Sequence, residues 1–481
     1  MQKVWSISGR SIAVSALALA LTACQSMRGP EPIAQADIPT GYIGSTTGPS
    51  VAEQGYKDFF ADQRLVQVIE LALANNRDLR TATLNIQRAQ QAYQISENNQ
   101  LPTIGASGSV LRQDTLSSSK PMTTYNVGLG VTAYELDFWG RVRSLKDNAL
   151  DSYLATQSAR DATQISLIGQ VAQAWLSYSF ANANLKLADQ TLKAQLESYN
   201  LNKKRFDVGI DSEVPVRQAQ ISVETARNDV ANYKTQLAQA QNLLNLLVGQ
   251  PVPANLLSPQ PVKRITQSTA LTAGLPSDLL NNRPDVRAAE YQLSAAGANI
   301  GAAKARLFPS ISLTGNAGYA STDLSDLFKS GSFVWAVGPS IDLPIFDWGT
   351  RQANIKISET DQQIALADYE KSIQSAFREV NDALAVRQNI GDRLAAQKRL
   401  VDATNTTYKL SNARFRAGID NYLTVLDAQR TSYAAEQGLL LLEQANLNNQ
   451  VELYKSLGGG VKTNTSDVTS QPASSAERKA Q

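Results

Sequence analysis

The 481-residue chain has no histidine and only one cysteine, Cys24. Without imidazole, Ser-His-Asp or Cys-His catalysis and the usual histidine metal sites are excluded. Methionine is scarce as well, at three residues, so soft ligands for a metal cargo are few. Neither sign of charge is in excess: 45 basic against 43 acidic side chains leave no electrostatic footprint for nucleic acid. No glycine-rich phosphate loop with its lysine occurs. The acids are scattered along helical stretches instead of being paired for proton transfer, so an enzyme is not expected.

The first residues are informative. Lys3 and Arg10 precede an apolar run from Ile12 to Leu21, and Leu21-Thr22-Ala23-Cys24 follows. The run is well short of the roughly 20 residues that span a bilayer, so it is not a membrane helix. It resembles a bacterial lipoprotein signal cleaved before Cys24. That resemblance implies a covalent lipid on Cys24 as the only added group, with more than the one acyl chain that binds a membrane only marginally. Ser26, where an Asp would retain a lipoprotein at the inner membrane, implies passage to the outer membrane.

The chain contains a duplication. Asn75-Asn76-Arg77 recurs as Asn281-Asn282-Arg283, Leu101-Pro102-Thr103-Ile104 as Phe308-Pro309-Ser310-Ile311, and Trp139-Gly140 as Trp348-Gly349. Arg205-Phe206 with Gly209-Ile210-Asp211 recurs as Arg414-Phe415 with Gly418-Ile419-Asp420. The offsets drift slowly from 206 to 209 residues, as a tandem duplication with small insertions requires. The expected organisation is a signal peptide (1–23), a lipid anchor and linker (24–60), a first repeat (61–249), a proline-rich inter-repeat linker (250–280), a second repeat (281–458) and a polar tail (459–481).

Within each repeat the apolar period changes. Tyr125, Val127, Leu129, Val131 and Ala133 alternate with small or polar residues; so do Ile311, Leu313, Ala317 and Tyr319, and Phe333, Trp335, Val337, Ile341 and Leu343. Period two means strands with one greasy face, expected at about 103–113, 123–138, 310–320 and 332–346. Each run has the length of a tilted transmembrane β-strand. After each Trp-Gly step the period becomes seven. Leu185, Leu192, Tyr199 and Phe206 are matched 209 residues later by Leu394, Val401, Tyr408 and Phe415, and Val216, Val223, Val230, Leu237 and Leu244 form a second series. Sustained heptads mean supercoiled helices, and no proline lies between Pro121 and Pro215 or between Pro344 and Pro472 to break them. A helix from Arg141 to Phe206 would reach about 100 Å at about 1.5 Å per residue. Tryptophan suits a membrane interface and glycine permits a bend, so Trp139, Gly140, Trp348 and Gly349 are expected at the junctions where membrane strands become helices.

Four membrane strands cannot close a barrel, and an open edge in hydrocarbon leaves backbone groups unsatisfied. Several chains must therefore share one barrel; two, three or four copies all satisfy this argument.

Asn282-Arg283-Pro284-Asp285-Val286, Ala288-Ala289-Glu290 with Gly301-Ala302-Ala303, Phe308 to Gly315, and Gly338-Pro339-Ser340-Ile341 with Leu343-Pro344-Ile345-Phe346-Asp347 carry a family resemblance. Over nearly the whole mature chain, the sequence resembles the outer-membrane factor (TolC/OprM-like) family, in its lipoprotein branch. The resemblance implies a mixed α+β membrane protein: a homotrimer whose 12-stranded outer-membrane β-barrel continues into a long periplasmic α-helical coiled-coil barrel, with an equatorial domain. It implies the outer-membrane channel of a tripartite multidrug efflux pump, working with a periplasmic adaptor protein and an inner-membrane RND-type proton-driven transporter. Val208-Gly209-Ile210 and Ala417-Gly418-Ile419 match the tips that meet the adaptor. Asp427 matches an acid at the periplasmic gate, where three carboxylates would favour cations. Position 424 is Thr424, where the TolC branch carries a second acid. The gate is therefore expected to close through Asp427 with the aliphatics Leu423 and Leu426. Protein secretion or metal-ion efflux through the same duct is the alternative function; a purely structural coiled-coil lipoprotein leaves the four greasy strands unexplained.

Overall fold

The computed structural model describes residues 27–35, 53–114, 121–258, 260–267, 272–274 and 276–461; Cys24 and its expected lipid lie outside them. The described elements, in order, are the helices α1 (Tyr56–Phe59), α2 (Gln63–Asn75) and α3 (Arg77–Asn98), strands β1 (Ile104–Gln113) and β2 (Met122–Glu135), and helices α4 (Arg141–Asp207) and α5 (Glu213–Val248). The second repeat follows with α6 (Pro276–Asn282), α7 (Pro284–Ala305), β3 (Ser310–Ser321), β4 (Phe333–Asp342), α8 (Thr350–Arg416) and α9 (Tyr422–Ser456). Both long helices have 67 residues, about 100 Å at about 1.5 Å per residue.

Contacts divide the chain into two compact units that do not follow the repeats. One takes 85–157 and 288–370 with the stretch ending at Gln35; the other takes 158–287, 371–481 and the stretch from Ala36 to Leu84. Each unit thus draws on both repeats, because a strand pair from one copy completes its sheet only with the pair from the other.

In the first unit the strands form an antiparallel sheet of order β1-β2-β3-β4. Facing residues in an antiparallel ladder share a side of the sheet. The register sets Ala106 opposite Leu129, Val127 opposite Tyr319, Ala317 opposite Trp335 and Ile311 opposite Ile341, so the alternations of all four strands merge into one greasy face. The other side carries Ser107, Asn126, Asn316 and Ser340 among small residues. Gly128 and Gly318 are partners there, and a Cβ on Gly318 would stand 2.2 Å from the Val127 carbonyl oxygen. A bulge between Val131 and Tyr134, with Ala133 at φ 51°, shifts the register near the end of β2.

β2 and β4 end earlier than the expected 138 and 346, because the chain turns into helix starts. The Asp137 carboxylate accepts hydrogen bonds from the amides of Val142 and Arg143, and Asp347 accepts from those of Gly349 and Arg351. These acids satisfy amides that helix starts leave open and complement the dipole. Residues 27–35 are non-helical, and Arg28 donates to Asp151 and to the Ser294 carbonyl at 2.9 Å.

The second unit holds the larger core. Trp175 and Phe180 of α4 are fully buried, as are Leu65 and Ile69 of α2, and the Trp175 indole donates to the Leu256 carbonyl at 2.9 Å. Phe59 stacks on Tyr454 at 3.9 Å between ring centroids. Arg283 is buried and donates to Asp285, to Glu379 and to the Ser456 carbonyl. Burial is the largest single influence and opposes its charge, but hydrogen bonds and charge pairing with Asp285 and Glu379 together outweigh it and hold its pKa above the usual value. The heptad residues Val216, Val223, Val230 and Leu244 of α5 are all buried.

Candidate functional site: the helix turns and the strand exits

The two turns between long helices are built alike. In each, glycine stands left-handed just past the helix: Gly209 at φ 77° after α4 and Gly418 at φ 75° after α8. The Ile210 amide donates to the Arg205 carbonyl at 2.9 Å and the Ile419 amide to the Arg414 carbonyl at 3.0 Å. This is the six-residue closure of a Schellman motif, which needs the left-handed residue. An ion pair pins each turn: Arg205 to Asp211 at 2.5 Å and Arg414 to Asp420 at 2.7 Å. The Asp420 carboxyl is held below the usual range by its hydrogen bond with Arg414.

The apolar residues that such motifs usually fold back onto the helix stay outside here. Val208 is 69%, Ile210 64% and Ile419 63% exposed, and Ala417 is exposed as well. A Cβ on Gly209 or Gly418 would meet nothing within 4 Å. Both turns thus present free apolar tips on stiff supports.

Behind the tips a small core joins the hairpins. Phe415, Tyr422, Val425, Leu426 and Ala219 are buried together, with Tyr199 and Tyr408 packed against them, and the Arg205 guanidinium lies 5.4 Å from the Phe415 ring centre. Leu426, expected at the gate, is part of this core and is not available to a pore. Its place follows from helix geometry, since the positions facing α5 and α8 are Val425 and Leu426 while Leu423 and Asp427, one turn apart, share the outer face. Leu423 is 55% exposed and Asp427 exposed. Tyr422, Phe415 and Arg416 help line a cavity of about 470 Å³, a feature sequence reasoning missed. Burial pushes the Tyr422 phenol up to about 12, so it stays neutral.

The strand exits differ from each other. Trp139 stacks on Phe308 at 4.7 Å and donates its indole N–H to the Pro309 carbonyl at 2.8 Å. At this junction the indole is tied to the entry of β3. Trp348 is 88% exposed, beside Phe346 at 70% and Ile345 at 92%. Gly140 and Gly349 are left-handed at both junctions. Among the described residues no helix is long and apolar enough to cross a membrane.

Known proteins match both the duplication and the fold. A family model described as outer membrane efflux protein matches residues 68–250 and again 275–459. The chain is 43% identical over 453 residues to the antibiotic efflux pump outer membrane protein ArpC of Pseudomonas putida, covering 92% of this chain and 93% of that one. It is 40% identical over 408 residues to the cation efflux system protein CusC of Escherichia coli, covering 84% and 89%. Among solved structures, the open state of the Neisseria gonorrhoeae MtrE outer membrane channel superposes with a TM-score of 0.85 at 39% identity, covering 92% of this chain and all of that one.

Proposed function

The chain belongs to the outer membrane efflux protein family, and we propose on that premise that it is the outer-membrane exit duct of a tripartite pump for small amphipathic compounds such as antibiotics. The observation that carries this is the pairing of a four-stranded sheet, greasy on one side, with two 67-residue helices that begin directly after its strands. One element is shaped for lipid and the other for reach.

The sheet has two free edges, β1 and β4. They run antiparallel to each other, so β1 of a further copy can pair with β4 and the barrel closes around a ring of copies. Three copies give twelve strands, the homotrimer implied by the family resemblance. The apolar tips at Val208-Gly209-Ile210 and Ala417-Gly418-Ile419 suit the hairpin of a periplasmic adaptor, and an inner-membrane RND-type proton-driven transporter supplies the energy, the chain carrying no glycine-rich phosphate loop of its own. Asp427, exposed on α9 beside Leu423, forms the selective ring of the periplasmic gate when three copies meet. A lipid on Cys24 holds the assembled duct at the outer membrane.

Metal-ion export is the alternative that one relative's name supports. A chain without histidine and with three methionines offers little to handle a soft metal. Deleting the gene and screening antibiotics, dyes, detergents and metal salts separates the two. Restored resistance to amphipathic drugs by the intact gene is expected, with adaptor and transporter recovered by periplasmic crosslinking. Sensitivity to metal salts alone contradicts the proposal.

A further inference from the structure

The internal duplication supplies a template for a contact that one chain cannot make with itself. At the exit of β2, Trp139 lies against the entry of β3, stacking on Phe308 and donating to the Pro309 carbonyl. Its repeat partner is Trp348, at the exit of β4. The repeat partners of Phe308 and Pro309 are Leu101 and Pro102, at the entry of β1. Within the chain β2 and β3 are neighbours, whereas β4 and β1 are the two free edges of the sheet.

The strand directions fit. With every neighbouring pair antiparallel, β4 runs parallel to β2, and β1 runs parallel to β3. An edge pairing of β4 with β1 of a second copy therefore has the same sense as β2 with β3. The greasy face continues only if odd-numbered positions of β4, such as Val337 and Ile341, sit beside even-numbered positions of β1, such as Ile104 and Val110.

The surfaces are also unfilled in the way this requires. Trp139 is half-buried by its intrachain partners, but Trp348 is 88% exposed and Leu101 66% exposed. Trp348 also holds a left-handed φ of 56°, a region that residues other than glycine rarely occupy, and among the described residues its one ring partner is Phe346, at 4.5 Å between centroids in a T-shaped pair. A large apolar ring held in such a conformation, with an N–H that has no partner among the described residues, calls for a contact outside the chain.

We infer that Trp348 is an intersubunit lock: its indole packs on Leu101 of a second copy and its N–H donates to the Pro102 carbonyl, repeating between copies what Trp139 does within one. This rests on the proposed shared barrel and adds the residues that set its seam. It moves Trp348 from the lipid interface to a protein interface.

The test uses the full-length channel purified from outer membranes. Leu101→Cys and Trp348→Cys, made singly and together, are treated with a short bis-maleimide and run on a denaturing gel. The double variant is expected to give covalent dimers and trimers, and each single variant none. In parallel, Trp348→Phe, which keeps an aromatic ring but removes the donor, is reconstituted with brominated lipid. The expected result is that the fraction of tryptophan fluorescence quenched does not fall, and that the assembled form dissociates in detergent at a lower temperature than the parent. An assembled double variant without covalent oligomers, or a fall in the quenched fraction on losing Trp348, overturns the lock while leaving the shared barrel standing. A protein that purifies as a single chain overturns both.

Discussion

Replacing Gly418 by Asn, Ala and Trp in turn separates two roles for the helix tip. Gly418 sits at φ 75° with nothing within 4 Å of an added Cβ. An added Cβ therefore meets no neighbour in the isolated hairpin, and the cost expected is that of the left-handed backbone, about 1–2 kcal/mol per site for an ordinary L-residue and less for Asn. Ala and Trp should then lower hairpin stability by the same amount, readable by thermal unfolding and by hydrogen exchange of the amides around the turn. Efflux should behave differently. If the exposed tip formed by Ala417 and Ile419 receives a partner, Asn and Ala should leave drug resistance near the parent level at equal amounts of outer-membrane protein. Trp should abolish it, because its ring stands where the partner seats. The same order is expected at Gly209. Equal losses of resistance for Ala and Trp, in step with stability, would refute docking and leave only the helix-ending role.

Other expectations follow from the same geometry. Gly318→Ala places a methyl 2.2 Å from the Val127 carbonyl oxygen and should sharply reduce the heat-modifiable folded form on gels; Gly315→Ala, whose nearest neighbour is 3.6 Å away, should not. Trp175→Ala empties the fully buried centre of the larger core and removes the donor to the Leu256 carbonyl, so it should cost about 3–5 kcal/mol in thermal or denaturant unfolding; a cost near zero would displace Trp175 from that role. Because the Asp420 carboxyl is lowered by Arg414, its pairing persists above the ordinary carboxylate pKa of about 3.9 and is lost as pH falls through the lower folded value. Asp420→Asn should therefore loosen amide exchange at the turn at neutral pH to a level the parent reaches only in strong acid; unchanged protection would contradict the pairing. Asp427→Ala should leave stability unaltered, the side chain being exposed, and should reduce cation preference in planar bilayers if the acid rings the gate.

Much of this architecture is legible in the sequence because its two periods differ so clearly. The alternation from Tyr125 to Val131 and from Phe333 to Ile341 corresponds to one continuous face across the sheet. The heptad at Val216, Val223 and Val230 marks buried residues. A period tells which side of an element is covered, and not what covers it. That is why Leu426 could be assigned to a gate when it belongs to the core beside Phe415, and why the tie of the Trp139 indole to Pro309 carries no signal in the period. The strand ends came out too long for a related reason: Leu343 and Phe346 continue an apolar pattern, but Pro344 cannot donate to a ladder and Asp347 already serves the amides of α8. The interleaving of the repeats into two units carries no local signal, since it depends on pairing between β2, which ends at Glu135, and β3, which begins only at Ser310.

The shared barrel is tested most directly by the native mass of the channel extracted from outer membranes in a mild detergent. Three chains in one particle are expected, twelve strands closing edge to edge. A particle of one chain would contradict the shared barrel, and one of two chains would contradict the trimer.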